Sequence, residues 1–104
     1  MEEQQRTPGG EILERTKSAV KTPALFRVIL HNDDYTTMAF VVEVLETIFL
    51  KQPVEAYRLM MKVHVEGQAV CGLYPHEIAE TKVAAVLASA RDHAFPLRAS
   101  LEPD

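Results

Sequence analysis

The chain has 104 residues with a formal net charge of −4, and 47% of its residues are hydrophobic and 25% charged. This length fits one domain with a modest core, and the ordinary composition leaves both an enzyme and a binding module open. The acidic chain has no cluster of Lys and Arg, so we do not expect it to bind nucleic acid. It also has no apolar run long enough for a signal peptide or a membrane span, so we expect a cytoplasmic protein that does not bind membranes.

Residues 1–24 contain few large apolar side chains and include the turn-forming sequence Pro8-Gly9-Gly10. A stretch of this kind cannot bury enough apolar surface to fold stably by itself. We therefore predict a flexible N-terminal extension over residues 1–24 and a folded core domain over residues 25–104.

The folded part begins with a strand and a helix. The run Leu25–His31 is rich in β-branched and apolar residues, which predicts a buried strand. From Met38 to Leu50 the apolar residues recur with the three- and four-residue spacing of an amphipathic helix, so we predict a helix over this range. Thr36 and Thr37 are both suitable residues for capping its N-terminus.

Two more helices and two more strands follow. Proline favours the first turn of a helix and glycine its C-terminal cap, so Pro53 and Gly67 indicate the start and end of a second helix. Gln68–Tyr74 then has the composition of a second strand, and the apolar spacing predicts a third helix over about His76–His93. Alternating apolar and polar residues predict a final strand over Leu97–Glu102.

The order of elements is therefore β-α-α-β-α-β. It predicts an α+β fold in which three helices pack on one face of a small three-stranded antiparallel sheet. The predicted buried face of the third helix consists of Ile78, Ala79, Val83, Val86, Leu87 and Ala90. So small a sheet does not support a deep catalytic cavity, and we expect a shallow pocket where strand ends and helix starts meet.

The segment between the first strand and the first helix is unusually rich in side-chain oxygens. Asn32, Asp33, Asp34 and Thr36 lie within five positions, although one such residue is enough to cap a helix. The remaining acceptors are free to bind a donor such as an ammonium group. If the first two helices form a hairpin, His64 at the end of the second helix returns beside these residues.

Apolar side chains are expected next to this polar group. They are Met38, Val41, Met60, Val63 and Leu97. The complementary ligand is a primary ammonium close to a large apolar group, as at the N-terminus of a peptide that begins with Leu, Phe, Tyr or Trp. Each feature also has a purely structural interpretation, since methionine commonly fills cores, histidine caps helix ends, and Asn-Asp-Asp is a common turn.

From about Phe26 to Glu102 the chain resembles the ClpS family, the adaptors that deliver N-degron substrates to the ClpA unfoldase of the ClpAP protease. The motifs that carry the resemblance are Asn32-Asp33-Asp34-Tyr35-Thr36 with Met38, Leu59-Met60 with Val63-His64, Cys71-Gly72, Glu77 with Ala79-Glu80-Thr81-Lys82-Val83-Ala84, and Pro96-Leu97. Two positions differ from the family pattern. Thr37 stands where the family often has proline, and His31 stands where a small apolar residue is usual.

The resemblance implies a monomeric adaptor without catalytic residues, metal or cofactor. Asn32, Asp34 and His64 would hold the α-amino group of the substrate, with Asp33 in a supporting role. The pocket for the first side chain would be lined by Thr36, Met38, Val41, Met60, Val63 and Leu97, with Met38 rejecting β-branched residues. Glu77 and Lys82 would contact the N-terminal domain of ClpA, and residues 1–24 would help to pass the substrate on.

Two alternatives belong to other functional classes. A protein-protein interaction domain of similar fold, like the ribosomal stalk domain, would not need the pocket. A metal-dependent hydrolase would use Asp33, Asp34 and His64, or the run His76–Glu80. That run lacks the second histidine of the HExxH zinc motif, which makes the hydrolase the weaker alternative.

Overall fold

The computed structural model of the chain describes residues 23–104, so the predicted N-terminal extension lies outside the described residues except at its last two positions. The elements are β1 (Leu25–His31), α1 (Met38–Thr47), α2 (Pro53–Glu66), β2 (Gln68–Pro75), α3 (His76–Asp92) and β3 (Arg98–Pro103). This order and the antiparallel three-stranded sheet confirm the fold class that the sequence predicted.

β1 is the central strand of the sheet, with β2 on one side and β3 on the other. Val28 and Leu30 are fully buried and belong to the core that the helices cover. At its last residue, His31, β1 is paired with Gln68 of β2 and Arg98 of β3. This end of the sheet leads directly into the loop before α1.

α1 begins where the sequence predicted and ends earlier. The Thr37 hydroxyl accepts a hydrogen bond of 3.1 Å from the backbone N–H of Phe40, which caps the helix start. The predicted end at Leu50 is wrong, because the helix stops at Thr47 and Leu50 adopts a left-handed conformation with φ of 56°. The apolar pattern continues past the helix because Phe49 packs into the core from the following turn, where it is only 5% exposed.

α2 follows α1 after a short connection and packs against it. It begins with Pro53 and ends at Glu66, and Gly67 caps it with a φ of 92°, a conformation that glycine adopts without strain. The N–H of Gly67 donates to the carbonyl oxygen of Val63 at 2.9 Å. Its core-facing residues are Ala56, Leu59, Met60 and Val63.

α3 covers the rest of the sheet. Ala79, Val86 and Ala90 are buried, but Ile78 remains 48% exposed, so its predicted place in the core is wrong. Ile78 instead faces a groove beside the end of α1, described below. Among the helices of residues 23–104, none is both long and apolar enough to cross a lipid bilayer.

Candidate functional site

Asp33 organises the loop between β1 and α1. Its Oδ1 accepts hydrogen bonds from the backbone N–H groups of Tyr35 (2.8 Å) and Thr36 (2.7 Å), and its Oδ2 accepts one from the Thr36 hydroxyl (2.7 Å). Burial disfavours the charged carboxylate, but these hydrogen bonds outweigh burial and, with a weaker effect of Arg98, leave the pKa of Asp33 below its ordinary value. The Asp33 carboxylate is thus occupied by its own loop.

The ends of β1 and α2 are joined directly. The backbone N–H of Asn32 donates to the carbonyl oxygen of Gly67 at 2.9 Å, so the last turn of α2 lies beside the loop. This contact brings His64 to the same cavity as Asn32 and Asp34. All three side chains are exposed, and none is engaged in a side-chain hydrogen bond with another of residues 23–104. Within residues 23–104, their polar atoms are therefore available to a ligand.

These elements enclose a cavity of about 240 Å³. Its lining residues are Asn32, Asp33, Asp34, Thr36, Met38, Val41, Met60, Val63 and His64. Met60 and Val63 are 4% and 2% exposed, whereas Met38 is 45% exposed. The cavity therefore has a polar rim, a buried apolar floor and one partly exposed thioether side chain, that of Met38. A site with these properties suits a ligand that is cationic at one end and apolar at the other.

Two further residues that the sequence placed in or near the site have contacts of their own. Leu97 is 3% exposed and packs just before β3 in the same core cluster as Met60 and Val63, and its place in the pocket stays a prediction. The ring of His31 lies 2.7 Å from the Ser100 hydroxyl, measured from Nε2, and not in the cavity. Burial, with a smaller effect of Arg98, lowers the pKa of His31.

A groove of about 410 Å³ lies near the other end of α1, between that helix and α3. It is lined by Thr47, Ile48, Ile78, Thr81, Lys82 and Ala85. The Lys82 ammonium donates to the carbonyl oxygen of Ile48 at 2.6 Å and lies 5.5 Å from the centre of the Tyr74 ring. Glu77 is exposed in the first turn of α3.

The groove was missed by the sequence analysis, although Lys82 itself was predicted to lie at a partner site. A helix extended to Leu50 would have left no open end of α1 beside α3. The one sequence signal was Ile78, an apolar residue only two positions after the start of α3.

The hydrolase alternative had two candidate sets of residues, one on the rim of this cavity and one at the start of α3. His76 Nδ1 and Glu80 Oε1 are 3.6 Å apart on the exposed first turns of α3. Among residues 23–104, no three His, Cys, Asp or Glu side chains are grouped so as to hold a metal ion. The two acidic residues of the cavity rim also differ in role, since Asp33 accepts from its own loop and Asp34 does not.

Comparison with known proteins agrees with this fold and cavity. Residues 21–100 match the model of the family described as ATP-dependent Clp protease adaptor protein ClpS. The chain belongs to the ClpS family. The match spans every element from β1 into β3, and thus both the cavity and the groove of this ClpS chain.

Relatives named ATP-dependent Clp protease adapter protein ClpS are similar over most of their length. The protein from Vibrio atlanticus is 48% identical over 96 residues, which cover 92% of this chain and 91% of the relative. The protein from Nitratidesulfovibrio vulgaris is 55% identical over 83 residues, or 80% of this chain and 83% of the relative. Both relatives are named as adaptors of a protease.

One similar solved structure contains a ligand. It is the structure of Agrobacterium tumefaciens ClpS2 bound to L-phenylalaninamide. The alignment has a TM-score of 0.77 and 37% identity, and it covers 80% of this chain and all of that chain. The common fold therefore extends over nearly the whole described part of this ClpS chain.

Proposed function

We propose that this chain is a non-enzymatic, monomeric adaptor for N-degron substrates. It binds the free α-amino group and the large hydrophobic first side chain of the substrate, delivers the substrate to the ClpA unfoldase of the ClpAP protease, and thereby modulates its substrate choice. The observation that carries this proposal is a single cavity with an acidic, hydrogen-bonding rim and an apolar floor. The proposed first residues are Leu, Phe, Tyr and Trp.

The α-amino group is assigned to the polar rim of the cavity. A primary ammonium offers several N–H donors, and Asn32, Asp34 and His64 offer acceptors on two sides of the opening. Asp34 also supplies a negative charge, which strengthens a hydrogen bond from a cation. Asp33 acts indirectly, because its carboxylate holds the loop that presents Asn32 and Asp34.

The first side chain of the substrate is assigned to the apolar part of the cavity. Met60, Val63 and Val41 form its buried surface. Met38, at the more exposed side, would clash with a first residue that branches at Cβ. The ligand of the A. tumefaciens relative, L-phenylalaninamide, has both a free amino group and an aromatic side chain, which supports this assignment.

The expected affinity suits a transient adaptor. Burial of a Leu or Phe side chain contributes roughly 1.5–3 kcal/mol, and hydrogen bonds to a charged group contribute roughly 1.5–3 kcal/mol each before entropy costs. Together these terms correspond to about −8 kcal/mol, or a Kd near the micromolar range. A substrate held this weakly can be passed to an unfoldase.

Fluorescence anisotropy with labelled peptides tests the substrate assignment. Peptides that begin with free Leu or Phe should bind with Kd in the micromolar range or below, whereas the same peptide beginning with Val should bind at least tenfold more weakly. Acetylation of the α-amino group should abolish binding, since it removes the charge and most of the donors. Equal affinity for the free and acetylated Leu peptides would contradict the assignment of the rim.

The partner contact is assigned to the opposite end of α1. Glu77 and Lys82 on α3 are proposed to contact the N-terminal domain of ClpA, and residues 1–24 to help transfer the substrate. The groove beside Lys82 supports this assignment because it has an apolar lining within reach of charged residues. Titration of the isolated ClpA N-terminal domain should show saturable binding that Glu77→Ala weakens. Binding unaffected by Glu77→Ala would move the contact elsewhere.

A further inference from the structure

α2 has a second apolar surface, beside its core-facing side. Tyr57 and Val65 are 59% and 72% exposed, and Met61 between them is partly buried against the core. Side chains four residues apart on a helix are neighbours, with Cβ atoms about 5–6 Å apart. Tyr57, Met61 and Val65 therefore form one continuous surface, here called the α2 strip.

The α2 strip adjoins the rim of the cavity. His64, on the rim, lies three residues after Met61 and seven after Tyr57, so all three are on the same side of the helix. The other side of the rim is polar, since Asn32 and Asp34 form it. A peptide that leaves the cavity past His64 meets the three apolar residues of the α2 strip, and one that leaves past Asp34 meets a carboxylate and the single exposed ring of Tyr35.

The length of the strip fits a short segment of extended chain. Tyr57 is seven residues from His64, which corresponds to about 10 Å along the helix axis. Three residues of an extended peptide also span about 10 Å. The second to fourth residues of a peptide whose first residue occupies the cavity can therefore cover the whole strip.

We infer that these residues of a bound peptide lie along the α2 strip, which makes the chain prefer apolar over small polar side chains directly after the first residue. The inference rests on the proposed function, because it requires the α-amino group and first side chain to be held in the cavity. Its physical basis is that apolar side chains of the peptide remove Tyr57 and Val65 from water on binding. The strip thus extends recognition from one residue to about four.

Two labelled peptides test this inference. Both begin with free Leu and share the same C-terminal part, but one continues Val-Val-Val and the other Ser-Ser-Ser. We expect the valine peptide to bind about five- to tenfold more tightly. Val65→Ser and Tyr57→Ser should each reduce that preference by about threefold or more, while the serine peptide binds each variant as it binds the wild type.

Val54 provides a matched control on the same helix. It is 85% exposed but ten residues, or about 15 Å, from His64, beyond the reach of the second to fourth residues. Val54→Ser should therefore leave the affinities of both peptides unchanged. Melting curves of the variants establish that each is folded at the temperature of the titration.

The other outcomes contradict the inference in distinct ways. Equal affinity of the valine and serine peptides for the wild type would mean that the strip makes no contact with substrate. Loss of the preference in Tyr35→Ser, with Val65→Ser unchanged, would place the peptide over the loop, where Tyr35 is 78% exposed. If neither peptide binds more tightly than its acetylated form, the proposed function itself fails, and the inference fails with it.

Discussion

The two ends of α1 are stabilised by different kinds of side-chain contact. At the N-terminal end, the Thr37 hydroxyl accepts from Phe40 at 3.1 Å, and Asp33 accepts from residues two and three positions later. At the C-terminal end, the donor to the Ile48 carbonyl is the Lys82 ammonium, 34 residues further along the chain. The C-terminal end also has local contacts, since the N–H groups of Phe49 and Lys51 donate to the carbonyl oxygens of Val44 and Leu45. The side-chain contacts at the N-terminal end thus come from its own segment, whereas the C-terminal end adds one from α3.

Each end also borders a different cavity. The locally organised end forms the rim of the cavity proposed for the substrate, and the end held by α3 forms one side of the groove proposed for the partner. A preorganised loop lowers the entropy that a ligand must overcome on binding. Because the contacts at the two ends share no residue, substitutions at one end should leave binding at the other end unchanged.

The largest effect is expected for Asp33→Ala. The substitution leaves the N–H groups of Tyr35 and Thr36 and the Thr36 hydroxyl without their acceptor. We expect a loss of about 2–3 kcal/mol in the free energy of unfolding and at least a tenfold loss of affinity for a Leu-first peptide. Urea unfolding measures the loss of stability, and anisotropy titration measures the loss of peptide affinity. As a control, the folded variant should bind the ClpA N-terminal domain as the wild type does.

Asp34→Asn is the matched control for Asp33→Ala. It should weaken binding of the peptide while changing the free energy of unfolding little, since Asp34 does not accept hydrogen bonds from the loop.

The pH dependence of stability provides a second test of Asp33. Burial raises the pKa of Asp33, but the loop hydrogen bonds have the larger effect and leave it below its ordinary value of 3.8. Its stabilisation is therefore complete above about pH 3.8 and is lost as the pH falls through the lower folded pKa. A stability difference between wild type and Asp33→Ala that grew on acidification would contradict this sign.

A smaller effect is expected for Lys82→Met. The change keeps most of the aliphatic side chain but removes the ammonium that donates to Ile48 and lies over the Tyr74 ring. We expect a loss of about 1–2 kcal/mol in the free energy of unfolding. Faster hydrogen exchange should be confined to the end of α1, at the N–H groups of Phe49 and Lys51. Peptide affinity should stay within about twofold of wild type.

Lys62→Met separates this effect from a general effect of removing a positive charge. Lys62 is exposed on α2 and lies outside both cavities. Its substitution should change neither the exchange rates at the end of α1 nor the stability by more than about 0.5 kcal/mol. Equal effects of the two substitutions would mean that the Lys82 ammonium does not stabilise the C-terminal end of α1.

The difference between the two ends also explains which features the sequence predicted. The cap at Thr37 and the second helix, from Pro53 to its cap at Gly67, depend on short-range signals, and both are present. The meeting of His64 with Asn32 was inferred from a helical hairpin, and it depends on the long-range hydrogen bond between Asn32 and Gly67. The end of α1 at Thr47 is followed by a left-handed Leu50 and a hydrogen bond from Lys82 to Ile48, and the apolar spacing indicates neither.

Two side chains were misplaced for a similar reason. Ile78 has the helical spacing of a core residue but lies beside the open end of α1, so it lines the groove. Leu97 was predicted as the first residue of the last strand, but it precedes β3 and packs in the core. Both positions depend on how α3 and β3 pack on the other elements, and a periodic pattern does not carry that information.

The smallest expected effect compares two threonines of the same helix. The Thr37 hydroxyl accepts from a backbone N–H at the start of α1, whereas the Thr47 hydroxyl donates to the carbonyl oxygen of Glu43 at 2.8 Å near its end. Thr37→Ala should cost about 1 kcal/mol in the free energy of unfolding, because it removes the N-cap.

Thr47→Ala should be neutral within about 0.5 kcal/mol, because alanine has the higher helix propensity and the Glu43 carbonyl keeps its place in the helix. Peptide affinity should fall by about twofold only in Thr37→Ala, since Met38 and Val41 are held by the first turns of α1. Equal costs for the two substitutions would show that the N-terminal end of α1 is not organised locally, and that the loop, like the groove, depends on packing with the rest of the chain.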